Sequence, residues 1–500
     1  MLTYAMDERR SEPIYEYLYR KIREDILSGT IAKGEALPSK RALAKHLNIS
    51  IITVENAYAQ LMTEGYIYSV PRSGFYASDV SDALHELDAA VGTGREEQKT
   101  QNRKKAGISD RKAPPEGSQK IFADFSSNQT QPDKFPFTIW AKLSREVLSS
   151  SKEQLMTNPP TGGVWELREA ITDHLKAFRG LQVLREQVIL GAGTEYLYGL
   201  LIQLLGLDRV YAVENPGYRK VALVCESHGV RVRHIPMDES GLSVKALEAS
   251  DAGVVHVTPA HHFPTGITMP AGRRYELLRW AAEKEGRYII EDDYDSEFRL
   301  SGRPLPALLG MDSADKVIYM NTFTKTLAST MRISYMILPL PLLAAFRKKL
   351  RFYACTVPTF EQYTLALFIK QGYFEKHINR MRTLSRKKRD LLLTCMQESK
   401  LGEIASVAEE HAGLHFLLKL KTHIPEEQFL EKLREKGILL ARFEDYNFQQ
   451  NRSFAKGAAG GRPEPGQEDY TYVMNYSSVP LERIPEAVRR ICLVLEDCER

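Results

Sequence analysis

Lys325, in the run Asn321-Thr322-Phe323-Thr324-Lys325-Thr326-Leu327, closes an apolar stretch that reads as a strand. Upstream, at the end of another such stretch, stands an acidic cluster, Glu291-Asp292-Asp293-Tyr294-Asp295. A lysine amine at a strand end is placed to form a Schiff base with an aldehyde cofactor. Pyridoxal phosphate is the cofactor suggested, because its pyridine nitrogen needs a carboxylate partner to stay protonated as an electron sink. Asp292 offers that carboxylate, and Tyr294 a hydrogen bond to the ring oxygen. Thr322 and Arg332 flank the lysine with a hydroxyl and a fixed fork of donors, which suits a phosphate. A surface lysine or a solvated acidic turn would explain either piece alone, but not both with their flanks.

These residues need a frame. Beyond residue 120, short β-rich runs alternate with helical segments. The candidate strands are Val188–Leu190, Arg209–Val213, Val254–Thr258, Tyr288–Glu291, Val317–Asn321 and Ile333–Leu338. Such alternation predicts an α/β unit with a mainly parallel sheet covered by helices on both faces. Ligands in these sheets bind beyond the carboxyl ends of strands, where Asp292, Tyr294 and Lys325 would all sit. Gly191-Ala192-Gly193-Thr194-Glu195 precedes an apolar helix from Tyr196 to Leu205, and a glycine turn feeding a helix N-terminus is an anion site. From about Leu343 helices dominate, followed by strands near Leu414–Leu420 and Tyr470–Tyr476, as in a smaller C-terminal subdomain.

The N-terminus follows another pattern. Ile14, Leu18, Ile22 and Ile26, spaced four apart, predict a helix from Pro13 to Ser28. Ser39 stands at the N-cap of a second helix that carries Leu43, Ala44 and Leu47 on one face and stops near Asn48. A third helix, Ile52 to Glu64, ends at Gly65. Residues 66–70 and 74–77 flank Pro71-Arg72-Ser73 as a β-hairpin wing. A helix-turn-helix with a wing is a DNA-reading unit whose second helix enters the major groove.

Five hundred residues are too many for one core, so at least two domains are expected. The net charge is only +4, from 68 basic and 64 acidic side chains, so DNA affinity must come from a local patch and depend on salt. The five cysteines are scattered without paired or metal-type spacing, which points to reduced thiols in a cytoplasmic protein and to no metal site. No signal peptide or bilayer-length apolar run is evident, so no membrane partner is expected. Residues 81–119 lack apolar periodicity and read as a flexible linker, and 456–467 as a surface insertion.

Several of these segments resemble a known family. Thr322-Phe323-Thr324-Lys325-Thr326-Leu327-Ala328, with Met331-Arg332-Ile333, resembles the cofactor-lysine segment of fold-type I aminotransferases, in the version found in MocR/GabR-type regulators. Ile290-Glu291-Asp292-Asp293-Tyr294-Asp295-Ser296-Glu297-Phe298 is similar to that subfamily, and Thr258-Pro259-Ala260-His261-His262-Phe263-Pro264-Thr265-Gly266 resembles its loop beside the cofactor ring. The resemblance runs from about Ile121 to the C-terminus. Leu37-Pro38-Ser39-x-Arg41, Thr53-Val54-x-x-Ala57-Tyr58 and Glu64-Gly65-Tyr66-Ile67 resemble the winged helix of GntR-family repressors.

The resemblance implies a DNA-binding domain over 1–80, the linker over 81–119, and a pyridoxal-phosphate-binding, aminotransferase-like effector domain over 120–500. It implies cofactor contacts by Gly193, Thr194, Glu195, Tyr218, His261, Asp292, Tyr294, Thr322, Thr324 and Arg332, with Lys325 as the Schiff-base residue. DNA contacts are implied for Ser39, Lys40, Arg41, Ser50, Thr53, Asn56, Arg72 and Gly74. Ile51 stands where the family more often has a polar or basic residue, which opens an apolar contact with a thymine methyl. A head-to-tail homodimer on a double-stranded operator is likewise implied.

Two departures bear on activity. Val473 takes the place of the arginine that grips a substrate carboxylate in amino-acid-processing members, and Leu155 to Gly163 lacks the tyrosine that reaches a neighbouring subunit's phosphate. Lys220 or a nearby arginine is left to hold a carboxylate, and no such ligand is needed if the effector is the vitamin itself or an amine. The expectation is a transcriptional regulator that senses pyridoxal phosphate and/or an amino compound through an aldimine at Lys325, with residual transaminase turnover left open. The alternatives are a working aminotransferase carrying a DNA-binding domain, and a DNA-binding protein on a scaffold that has lost its cofactor.

Overall fold

The computed structural model describes residues 3–4, 12–79, 121–127, 131–300, 306–409, 413–448 and 468–499. The chain divides into two units, Met1–Ser118 and Gln119–Arg500. The linker expected over 81–119 and the insertion over 456–467 lie outside the described residues.

In the first unit, α1 (Ile14–Leu27) buries Leu18, Ile22 and Ile26, the spacing read from sequence. Helix α2 (Lys40–Leu47) starts at Ser39, whose hydroxyl accepts from the Ala42 amide at 3.2 Å, and stops at Asn48 in the left-handed region. Helix α3 (Ile51–Thr63) starts one residue earlier than expected, because the Ser50 hydroxyl accepts from the Thr53 amide at 3.1 Å. Its end turns through Gly65 at φ 79°, a conformation that suits glycine. Strand β1 (Ala36–Leu37) precedes α2, and the wing is β2 (Ile67–Val70) and β3 (Gly74–Ala77), in the order β1-β3-β2. The two residues of β1 are too few to show periodicity. Leu43, Val54, Tyr58 and Leu61 close the core between the helices and the wing.

The second unit holds an eight-stranded sheet. Its strands are β5 (Val188–Gly191), β6 (Val210–Asn215), β7 (Arg231–Asp238), β8 (Gly241–Leu242), β9 (Val254–Val257), β10 (Tyr288–Asp292), β11 (Val317–Thr322) and β12 (Ser334–Ile337). The order is β5-β12-β11-β10-β9-β6-β7-β8. The block from β11 to β7 is parallel, whereas β12 runs antiparallel to both β5 and β11, and β8 antiparallel to β7. Alternate side chains pack on opposite faces: Ile290, Ile318 and Met320 meet α5 (Thr194–Leu205), while Tyr319 and Tyr335 join the core beneath α4 (Trp165–Arg179). β7 was not expected, because Arg231, Arg233 and His234 break its apolar run at the sheet's exposed side.

A four-stranded antiparallel sheet, β13 (Ala405–Ala408), β14 (His415–Thr422), β16 (Ala441–Arg442) and β17 (Glu468–Asn475), follows in the order β13-β14-β17-β16. Helices α6 (Tyr373–Gln397) and α7 (Ile484–Glu499) pack on it. Strand β15 (Ile438–Leu439) pairs with β4 (Ala123–Asp124), which ties the start of this unit to its C-terminal part. No helix among the described residues is long and apolar enough to cross a membrane.

Leu43→Ala empties a fully buried position and is expected to cost the N-terminal unit about 2–5 kcal/mol. Ser50→Ala removes only a cap and is expected to cost about 1 kcal/mol. Hydrogen-exchange protection of the amides within α1 to β3 measures both, and equal losses would contradict the ranking.

Candidate functional site

Strand β10 alternates in what it shows. Glu291 and Asp293 are buried and anchored inward: Glu291 accepts from the Leu308 and Leu309 amides at 2.8 and 3.0 Å, and Asp293 lies 2.7 Å from Arg179 and accepts from the Tyr319 hydroxyl at 2.6 Å. The period of two therefore turns Asp292 and Tyr294 to the opposite side, into a cleft of about 150 Å³. Burial raises both carboxyls, Glu291 and Asp293, above the ordinary range.

β11 delivers Lys325 to the same cleft. Thr322 ends the strand and caps the short helical turn Phe323–Thr326, its hydroxyl accepting from the Thr324 amide at 3.1 Å. Ser334 on β12 donates to the same hydroxyl at 2.8 Å, which fixes the turn from the neighbouring strand. Burial lowers the Lys325 amine to about 8, against the opposing pull of Asp295 and Asp292. The amine stands 5.8 Å from the centre of the Tyr294 ring.

The carboxylate of Asp292 faces His256, Oδ2 to Nε2 at 3.6 Å, while its Oδ1 is buried without a hydrogen-bond partner. An orphaned carboxylate oxygen in a cleft calls for a donor from outside the chain. The Tyr294 hydroxyl donates to the His261 carbonyl at 3.2 Å, and burial raises its phenol well above the ordinary value.

The same cleft is also lined by Thr194, Glu195, Tyr218, Lys220, Thr322, Thr324 and Arg332. Gly193, at φ 101°, caps α5, and a Cβ there would overlap the Arg332 guanidinium and the Glu195 carboxylate. Arg332 itself adopts φ 50°, uncommon for a residue with a side chain. Glu195 makes ion pairs with both Arg332 and Lys220, so Lys220 is engaged within the chain rather than standing alone as a carboxylate ligand.

His261 is absent from the lining of this cleft. It lies beside a smaller cavity with Arg179, Asp295 and Gly413, its Nδ1 2.8 Å from Asp295 Oδ2, and the carboxylate holds the ring there. His256, Thr258 and Phe263 line the cleft without having been assigned from sequence. The signal for His256 was a histidine within the otherwise aliphatic β9. Val473 is buried in an apolar corner with Leu417 and Phe443, against which Phe263 and Tyr446 pack.

In the first unit, Arg41, Ser50, Asn56, Arg72 and Gly74 are exposed, with Arg72 and Gly74 at φ 64° and 127° in the wing turn. The Ser39 and Ser50 hydroxyls accept from amides at the helix caps, which leaves the Ser39 O–H able to donate, and Thr53 and Ser50 share a hydroxyl contact at 2.9 Å. Lys40 pairs with Glu55 on α3 at 2.6 Å, which ties it to the helix rather than leaving its charge to solvent.

Comparison with known proteins agrees with this division. Residues 14–77 match the bacterial regulatory proteins of the gntR family, and residues 120–454 the aminotransferase class I and II family. The chain is 39% identical to the HTH-type transcriptional regulator YdeL of Bacillus subtilis (strain 168), over 85% of this chain and 88% of that one. It is 29% identical to the probable rhizopine catabolism regulatory protein MocR of Rhizobium meliloti, over 87% of each. Among solved structures, the multiple substrate aminotransferase of Thermococcus profundus superposes with a TM-score of 0.64 at 23% identity, covering 77% of this chain and 93% of that one, a likeness of fold. The chain belongs to the MocR-type transcriptional regulators, in which a GntR-family helix-turn-helix unit is joined to a domain of the fold-type I aminotransferase fold.

Proposed function

We propose that this regulator senses pyridoxal phosphate, alone or together with an amino compound, at Lys325. The observation that carries the reading is the pairing, in one cleft, of a lysine amine lowered to about 8 with the orphaned Oδ1 of Asp292. When bound, the cofactor supplies an aldehyde for the amine and a ring that withdraws electrons. Asp292 would hold the proton on the ring nitrogen, and Tyr294 would hydrogen-bond the ring oxygen. Thr194, Thr322, Thr324 and Arg332 would hold the phosphate, with Gly193 keeping a side chain out of its path and Tyr218 at the rim. Glu195 then serves to orient Arg332 and Lys220.

A ligand entering at Lys325 changes DNA binding only by as much as its affinities for two arrangements of the protein differ. On this reading the DNA-binding units act as a homodimer on an operator, with Ser39, Arg41 and Thr53 against phosphates and Arg72 and Gly74 at the wing. A working aminotransferase with a DNA-binding unit is the second reading. The valine at 473 weighs against it, because an apolar side chain cannot make the paired, charged contact that an arginine there would give a carboxylate.

Purified protein mixed with pyridoxal phosphate is expected to gain a visible absorption band that Lys325→Ala abolishes and that borohydride bleaches while leaving the cofactor covalently attached; a colourless wild type overturns the proposal. The neutral amine is the reactive form, so the rate of capture should climb from pH 7 and level off above about 8. Stopped-flow mixing across pH checks this, and a rate still rising near 10.5, the ordinary lysine value, would contradict it. Asp292→Asn should weaken cofactor binding by about 1.5–3 kcal/mol, the worth of a charged hydrogen bond, measured by titration at equilibrium.

A further inference from the structure

Helix α3 is the second helix of the helix-turn-helix, whose N-terminal residues meet base edges in the major groove. Its first two residues, Ile51 and Ile52, are 47% and 69% exposed, although each is an aliphatic side chain that water penalises. The buried side of the helix is already complete, with Val54, Ala57, Tyr58 and Leu61 in the core. The outward side continues through Glu55, Asn56 and Ala59. The helix carries no lysine or arginine, and its one charged residue, Glu55, is tied to Lys40. The positive charge lies beside the helix instead, on exposed Arg41 and Lys45 of α2 and on Arg72 of the wing.

Guanine is read in the major groove by a cation donating to O6 and N7, and α3 has none to offer. Thymine alone among the bases presents a C5-methyl group there, and an aliphatic side chain is its partner. Pressed against a G·C pair, Ile51 and Ile52 would strip water from base-edge donors and acceptors and return no hydrogen bond, which disfavours those pairs. Asn56, one turn further along the helix, has the amide that pairs with adenine N6 and N7.

From these features we infer that Ile51 and Ile52 are specificity-determining residues that read thymine methyl groups, and that the operator half-site beneath the start of α3 is built of A·T pairs. Affinity and selectivity are thereby divided: Arg41, Lys45 and Arg72 supply charge that any sequence satisfies, while methyl contacts choose the sequence.

The test starts from a pool of random-sequence duplexes selected with the full-length protein at physiological salt. The selected duplex is then resynthesised with single thymines replaced by uracil, which removes only the C5-methyl. Enriched half-sites should carry A·T pairs at adjacent steps, and at least one uracil should weaken wild-type binding about three- to tenfold. Ile51→Ala and Ile52→Ala should bind more weakly and lose that uracil penalty. Ile51→Arg should shift the selected base toward guanine, and Arg41→Ala should weaken all sequences alike. Both isoleucines are exposed, so these variants should fold, and unchanged melting of the N-terminal unit verifies it. Four outcomes overturn the inference: guanines enriched at the contacted steps, equal binding of thymine and uracil at every position, alanine variants with unchanged selectivity, or a bound pool with no enriched sequence. Unchanged selectivity would instead assign the two isoleucines to a protein contact.

Discussion

Glu291 and Asp293 sit inside a sheet covered on both faces, where an unpaired carboxylate would cost several kcal/mol. The molecule meets this constraint with two backbone amides for Glu291, and with Arg179 and the Tyr319 hydroxyl for Asp293. Once those two side chains are committed inward, the pleat leaves Asp292 and Tyr294 no direction but the cleft. The arrangement of the candidate site thus depends on charges that never face it. Arg179 closes α4 and Tyr319 comes from β11, so helix, strand and site are locked by one group of polar contacts. Such a group fixes register strongly, because slipping β10 by one residue would expose the anchored carboxylates and bury the functional one.

The same burial tunes the lysine. Desolvation works on acids and bases in opposite directions, so burial lifts Glu291, brings Glu297 up to about 7 and lowers Lys325 to about 8. A lysine that is partly neutral near physiological pH is a nucleophile without needing a separate base. The turn that holds it is fixed by Thr322 and Ser334, which lie on adjacent strands.

Much of this was legible in the sequence because it rests on periodicity. Strand ends place Asp292, Tyr294, Thr322 and Lys325 together, and fully buried strands such as β11 read as continuous apolar runs. Serine caps and glycine stops marked the helices of the first unit to within a residue. What escaped lacked a local signature. Strand β7 carries arginines and a histidine at the sheet's exposed side, and β1 is two residues long. The antiparallel direction of β12 depends on the connection, not on composition. His256 looked like part of a hydrophobic strand, and the pairing of Glu195 with Arg332 and Lys220 joins three distant segments. Nothing near His261 in sequence announced that Asp295 would capture its ring.

The pairing of Glu195 with Arg332 and Lys220 also balances charge along one part of the cleft. Lys220 and Arg332 both line the cleft, and two like charges brought together there would repel. Glu195 pairs with both and offsets that repulsion from within the chain. Any anion that arrives must contend with a carboxylate already in residence. On the proposed reading, that competition would weaken the hold on an anionic group and favour its exchange.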